Sequence, residues 1–205
     1  MYKNMVYNDV ESLISYTGIN FRRINSILRG TWSYELNGKL TDELKEDIEF
    51  VISKIREIIK KMPNINDNIK VYRGIPLSSF KDYKIYSIED LINLKNQYYY
   101  EMGFTSTSLI RDKSFFDRNL EYHEKCDVEI EFLIPKECSE GIPLINKDLS
   151  FSSEEESEFL LDSHSLSKII DVRISEDKKK AYLKAVFIPK KIYDKAYREE
   201  NNKSL

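Results

Sequence analysis

Residues 41–74 read TDELKEDIEFVISKIREIIKKMPNINDNIKVYRG, and the pattern of the chain changes in the middle of them. Ile48, Val51, Ile52, Ile55, Ile58 and Ile59 recur at three- and four-residue spacing, which draws one apolar stripe along a long helix. Thr41 can accept a hydrogen bond from the free N–H groups of the first turn, and Asp42 and Glu43 complement the positive end of the helix dipole. Lys60 and Lys61 suit the opposite end, and Pro63 stops the helix. Beyond Pro63 the apolar run shortens: Ile69, Val71 and Tyr72 read as a strand that ends at Arg73 and Gly74.

Working outward, the chain before residue 41 is helical. Val10, Leu13 and Ile14 follow Asp9, and Phe21, Ile24, Ile27 and Leu28 follow Asn20, with Gly30 as a stop. The chain after Pro63 is mostly strands. Ser87 and Asp90 resemble a capping box opening a helix through Leu91 and Leu94. Gly103 to Leu109 reads as a strand of hydroxyl-bearing residues, and Ser114 to Tyr122 as a short helix. Val128, Ile130 and Phe132 alternate with acidic residues, as in a half-buried strand. Ile142–Ile145 and Glu158–Leu161 are further short strands, and Ile169–Ile174 with Tyr182–Ile188 form a hairpin across Glu176–Lys180. The last fifteen residues are charged and expected to fray. Helices first and strands after define an α+β domain, read as one unit over residues 1–205, not an alternating doubly wound sheet.

Composition removes several function classes. The 32 basic and 35 acidic residues leave a net charge of −3, which excludes holding nucleic acid or anionic lipid by bulk charge. No run approaches the ~20 apolar residues that span a bilayer. The opening MYKNMVYNDVES lacks the apolar core of a signal peptide, so the chain is expected to be cytoplasmic as synthesised, or to reach a target cell by a signal-independent route. Cys126 and Cys138 are too few for a disulfide framework and read as reduced and buried. His123 and Cys126 have ligand spacing but no second pair, so no metal is expected. The six glycines include no GxGxxG and no GxxxxGK[ST], which excludes a glycine cradle for a nucleotide.

Three stretches carry chemistry: Val71-Tyr72-Arg73-Gly74; Gly103-Phe104-Thr105-Ser106-Thr107-Ser108-Leu109; and Glu154-Glu155-Glu156-Ser157-Glu158-Phe159-Leu160-Leu161. Taken singly they read as a surface arginine, an edge strand and a solvated acidic loop. Their order resembles the mono-ADP-ribosyltransferase superfamily of the Arg–Ser–Glu class, in its bacterial exoenzyme-toxin branch. Ile24-Asn25-Ser26-Ile27-Leu28-Arg29 looks like the helix that precedes the arginine strand in that family. The likeness covers roughly residues 10 to 190.

The resemblance implies N-terminal helices packed on a core of two short, mainly antiparallel sheets. It implies NAD as co-substrate, no metal, and transfer of ADP-ribose to a protein. Glu158 takes the role of the catalytic carboxylate, opposing the oxocarbenium-like charge that develops on the ribose as nicotinamide leaves. Ser106 holds that carboxylate, and Thr107 and Ser108 support the strand or the nicotinamide pocket. Arg73 pairs with a phosphate or ribose oxygen, and Gly74 offers backbone contacts to the nicotinamide amide. Arg118 is a candidate second phosphate ligand, and Asn25 and Tyr16 are candidates to line the adenosine side.

In a strand residues i and i+2 share a face, so Glu156 and Glu158 both face the ribose if strand geometry begins at Glu156. Glu156 then orients an acceptor guanidinium and takes its proton. In the family a glutamate there accompanies arginine acceptors, and a glutamine accompanies asparagine acceptors on small GTPases. The aromatic residue that the branch places three positions before the first glutamate is absent: Ser153 stands there, with Phe151 two residues earlier. The expected partners are NAD, a protein substrate such as actin or another host or bacterial protein, and a separate delivery or immunity protein, with neither membrane nor nucleic acid. The rival readings are an NAD glycohydrolase, a transferase to another acceptor, and a non-catalytic binding module.

Overall fold

The computed structural model describes residues 7–32, 40–114, 125–136, 138–144 and 157–194. Helix α1 (Tyr7–Ser15) continues through one wide turn (Tyr16–Asn20) into α2 (Phe21–Arg29). Gly30 ends α2 at φ 70°, a left-handed conformation that glycine adopts without steric cost, and its N–H closes onto the Ile27 carbonyl at 3.1 Å. Helix α3 (Asp42–Lys61) is capped as expected, the Thr41 Oγ1 accepting from Leu44 N at 3.3 Å. Its stripe buries Ile48, Ile52, Ile55, Ile58 and Ile59. None of the described helices is long and apolar enough to cross a membrane.

Among the described residues eight strands follow: β1 (Ile69–Ile75), β2 (Tyr98–Glu101), β3 (Thr105–Ser108), β4 (Val128–Ile134), β5 (Gly141–Leu144), β6 (Glu158–Leu161), β7 (Ser165–Ile174) and β8 (Ala181–Ile188). They form one sheet in the order β2-β7-β8-β4-β1-β3-β6-β5, antiparallel at every pairing except β4 with β8. The expected two sheets are therefore one. The join is thin: β1 pairs with β3 at Tyr72 and Ser108 alone, whereas β1 and β4 are in register at seven positions from Ile69 to Ile75.

Two cores flank this sheet. One gathers Val71, Ile130, Phe132, Leu183 and Phe187 with Phe80, Leu91, Leu94 and Tyr99. The other packs α1, α2 and α3 through Leu13, Tyr16, Ile24, Ile52 and Ile55 onto Phe104, Ile142 and Leu160. β6 belongs to both, since Phe159 and Leu161 point into the first core and Leu160 into the second. That explains its unbroken apolar run: a strand covered on both faces has no solvent side to mark with polar residues.

Two local expectations change. The capping box forms, with Ser87 N donating to Asp90 Oδ2 at 2.9 Å and Asp90 N to Ser87 Oγ at 3.2 Å. It opens a 3-10 turn over Glu89–Leu94, not an α-helix. Over six residues the three-residue period is enough to bury Leu91 and Leu94 together. Strand β2 was not anticipated; it forms the sheet edge against β7. The short helix expected over 114–122 lies outside the described residues after Ser114, as does the end of the chain after residue 194.

Candidate active site

The site forms at the thin join. β3 lies between β1 and β6, with Ser108 opposite Glu158 and Ser106 opposite Leu160. Ser106 and Glu158 are thus diagonal neighbours on one face, close enough for side chains to meet. Ser106 Oγ donates to Glu158 Oε1 at 2.6 Å, the short distance of a hydroxyl bound to a carboxylate. Glu158 is buried with 4% of its surface exposed, so its orientation is set before any ligand arrives.

Thr107 faces the other way and donates to the Phe159 carbonyl at 2.6 Å, tying β3 to β6. Ser108 Oγ donates to the Ile110 carbonyl at 2.7 Å and accepts from Ile110 N at 3.0 Å, which turns the chain out of β3. Both therefore support the strand.

Arg73 is paired in register with Ile130, a core residue, so its side chain leaves β1 on the core face. Its Nη1 is buried without a hydrogen-bond partner and stands 3.8 Å from Glu101 Oε2. A buried guanidinium nitrogen with no acceptor suits a site built to receive an anionic or hydroxyl-rich ligand. The Gly74 N–H donates to the Ser114 carbonyl at 2.6 Å, so that donor holds the chain beyond β3 instead of a ligand.

Tyr16 and Asn25 stand behind β3 on the helical side. Asn25 clasps the backbone of Phe104: its Oδ1 accepts from Phe104 N at 2.8 Å and its Nδ2 donates to Phe104 O at 3.2 Å. Tyr16 OH donates to the same carbonyl at 3.2 Å, and its ring meets Phe104 edge-on at 5.5 Å. The clasp requires a glycine beside it, because a Cβ on Gly103 would lie 2.8 Å from Asn25 Oδ1. With only 1% and 5% of their surfaces exposed, Tyr16 and Asn25 set the entry of β3 and present no open face to adenosine. Burial pushes the Tyr16 phenol far above its ordinary pKa; the Asn25 hydrogen bond opposes that, Glu158 adds to it and Arg73 opposes it. Both site charges are therefore felt at Tyr16.

The strand argument for Glu156 does not hold. β6 begins at Glu158, and Ser157 adopts φ 47°, in the left-handed region. Its carbonyl accepts from Leu109 N at 2.9 Å. Ser157 is therefore not part of the pleated strand. Glu156 and Arg118 lie outside the described residues, as does His123. Cys126 and Cys138 are buried free thiols, and the described residues contain no cluster that could hold a metal ion.

Sequence reasoning missed Glu101. This buried carboxylate takes Arg29 Nε at 2.9 Å and Nη2 at 3.1 Å, and the Gly103 N–H at 2.9 Å. Burial acts to raise its pKa, but Arg73 and Arg29 outweigh that and hold it below the usual carboxylate range. The available signal was an acidic residue at an inward position of Tyr98-Tyr99-Tyr100-Glu101. A surface groove lined by Arg111, Glu129 and Tyr182 lies on the opposite face of β4 from Arg73.

A hydroxyl fixing a buried carboxylate on β3 and β6, and on the neighbouring strand β1 a buried guanidinium nitrogen without a hydrogen-bond partner, are the parts expected of an Arg–Ser–Glu transferase. Comparison with known families agrees: residues 1–190 match the ADP-ribosyltransferase exoenzyme model, and the chain belongs to that family. Among solved structures it is similar to C3stau2 from S. aureus with NAD, at 20% identity and TM-score 0.67, covering 91% of this chain and 89% of that one. The Clostridium limosum C3 exoenzyme is 21% identical with TM-score 0.67, covering 90% and 87%. The ADP-ribosylating toxin BECa of C. perfringens with NADH is 22% identical with TM-score 0.67, covering 91% of this chain and 44% of that one. At these identities the structural likeness speaks to the fold. No curated protein sequence matches significantly.

Proposed function

We propose that this exoenzyme-family transferase moves ADP-ribose from NAD to an arginine side chain of a target protein. The observation that carries the reading is the 2.6 Å hydrogen bond from Ser106 to the buried Glu158. NAD as the donor is supported by family membership and by its presence in the C3stau2 structure. The buried Nη1 of Arg73, which makes no hydrogen bond, fits a phosphate or ribose oxygen. The arginine acceptor rests on the glutamate at position 156, and the target class, actin among the candidates, on resemblance alone.

The C1′–N bond to nicotinamide breaks, and its electron pair leaves with nicotinamide, which becomes neutral. Positive charge grows on the ribose. A preoriented Glu158 carboxylate favours that cation more than the ground state, so the interaction lowers the barrier. Ser106 donates its proton to one carboxylate oxygen and fixes the orientation of the group. The acceptor guanidinium then bonds to C1′ through one nitrogen and gives up a proton to the Glu156 carboxylate. No nucleophile of the enzyme is required.

Labelled NAD with an arginine-rich acceptor tests this. Glu158→Gln is expected to lower both transfer and NAD hydrolysis by about 10²- to 10³-fold, the range for loss of a group that meets developing charge. Glu156→Gln is expected to suppress transfer while sparing most hydrolysis. Equal loss of both activities in Glu156→Gln would place that residue on NAD instead of the acceptor.

A further inference from the structure

The thin join between β1 and β3 has a brace beside it. The two strands pair at Tyr72 and Ser108 alone. Just past that pair, Ser108 Oγ holds the N–H and the carbonyl of Ile110, and the chain enters a 3-10 turn, Arg111–Lys113, that packs against β1. In the sheet order β4-β1-β3, Arg111 reaches from this turn back across β1 to β4. Its Nε donates to Glu129 Oε1 at 2.8 Å, and its Nη2 stands 2.6 Å from the same oxygen.

Three strands prepare the place where it lands. Residues paired in register share a face, so Gly74, Glu129 and Tyr182 form one row across β1, β4 and β8. Gly74 puts no side chain into the row, which leaves the way from the turn to Glu129 open. At the far end the Arg111 guanidinium lies 5.7 Å from the centre of the Tyr182 ring, within cation–π range. Glu129 is buried, and among the described residues Arg111 is its hydrogen-bond partner. A buried carboxylate is costly unless paired, so Glu129 holds Arg111 to one place. The row faces away from Ile130, and hence away from Arg73.

We propose that Arg111 and Glu129 are positioning residues, a brace that fixes the strand of Ser106 and its partner Glu158 against the strand of Arg73. One paired position between β1 and β3 fixes a point but not an angle. A second contact, set off from that point and anchored on β4, fixes the angle. The inference rests on reading Arg73, Ser106 and Glu158 as one site, since only then does the angle between their strands matter to the reaction.

The test compares the parent with Arg111→Ala, the double variant Arg111→Ala/Glu129→Leu, and Glu158→Gln. Three quantities are read: melting temperature, kcat/KM of NAD hydrolysis, and hydrogen–deuterium exchange of the free enzyme. Arg111→Ala leaves a buried carboxylate unpaired, so it should melt about 5–10 °C lower. Its kcat/KM should fall about tenfold, within the up to ~10²-fold cost of a misplaced group. In the double variant leucine needs no partner, so melting should return to within about 3 °C of the parent. Its kcat/KM should stay about tenfold down, because the brace is still missing. Exchange over residues 70–76 and 104–112 should be about tenfold faster, with 181–188 unchanged.

A double variant that regains both melting temperature and turnover overturns the proposal, because the pair would then serve stability alone. Lower turnover with parent-like exchange over residues 104–112 overturns it too, since Arg111 would then act by touching a substrate. Should Arg111→Ala fail to fold, the double variant decides by itself. Undiminished hydrolysis in Glu158→Gln overturns the reading of the site, while exchange still judges the brace.

Discussion

The two halves of the sheet are held by different means. From β7 to β1, long ladders carry the structure: β7 and β8 stay in register from Leu166 to Ile174, through one irregularity near Ile169, and β1 and β4 over the whole of β1. From β3 to β5 every strand has four residues. There, side chains take over the work of the ladder. Asn25 and Tyr16 hold Phe104, Thr107 holds Phe159 and Ser108 holds Ile110. The carboxylate and its serine sit in the second half, and the arginine sits at the last strand of the first. The proposed chemistry thus falls where position depends on polar contacts of defined geometry, beside the ladder half.

This contrast can be broken by matched substitutions. The largest effect is expected at Ser106→Ala. It removes a hydrogen bond to a buried carboxylate, worth about 1.5–3 kcal/mol, so kcat should fall by about 10- to 100-fold while the melting temperature changes little. Val71→Ala in the ladder half is the counterpart. Val71 is fully buried, and losing two methyl groups should cost about 2 kcal/mol of stability, with kcat nearly unchanged. Steady-state NAD hydrolysis and thermal melting of the two variants would erase the distinction if both moved together.

Asn25→Ala comes next. It leaves the N–H and C=O of Phe104 with fewer partners in a buried place, so about 2–3 kcal/mol of stability should be lost. Because Phe104 leads directly into Ser106, kcat should fall as well, roughly tenfold, unlike the Val71 variant. Unchanged turnover in a destabilised Asn25→Ala would show that the clasp stabilises the fold without positioning the site.

The smallest effect is expected for Ser157→Gly. A left-handed conformation costs a residue other than glycine roughly 1–2 kcal/mol. Ser157→Gly should therefore keep full activity with stability within about 1 kcal/mol of the parent. Ser157→Val should lose activity, because a β-branched residue resists φ near 47° and would pull Glu158 out of register. Equal activity in the glycine and valine variants would mean that the backbone at 157 is not part of the alignment of Glu158.

Much of this was legible in the sequence, and the reasons for the failures are physical. Helix α3 was readable because six isoleucine and valine positions repeat with the helical period. β4 and the β7–β8 hairpin were readable because inward apolar residues alternate along them. β2 was hidden because one of its two inward residues is Glu101, whose burial is stabilised by Arg29 and Arg73, 72 and 28 residues away in sequence. The single sheet was hidden because one long-range pair, Tyr72 with Ser108, makes the join. That β6 begins only at Glu158 was hidden because Ser157 takes a conformation that glycine or asparagine would have announced and serine does not. For the site, Arg73, Ser106 and Glu158 stood out by type and order. The supports behind them, Tyr16, Asn25 and Glu101, act through backbone groups and through one another, which no motif records.

The most direct test of the central claim is mass spectrometry of a cell lysate treated with the enzyme and labelled NAD, beside the Glu158→Gln variant. ADP-ribose on arginine residues of discrete proteins, absent with Glu158→Gln, is the predicted result. Free ADP-ribose with no labelled protein, or protein labelling that persists in Glu158→Gln, would contradict it.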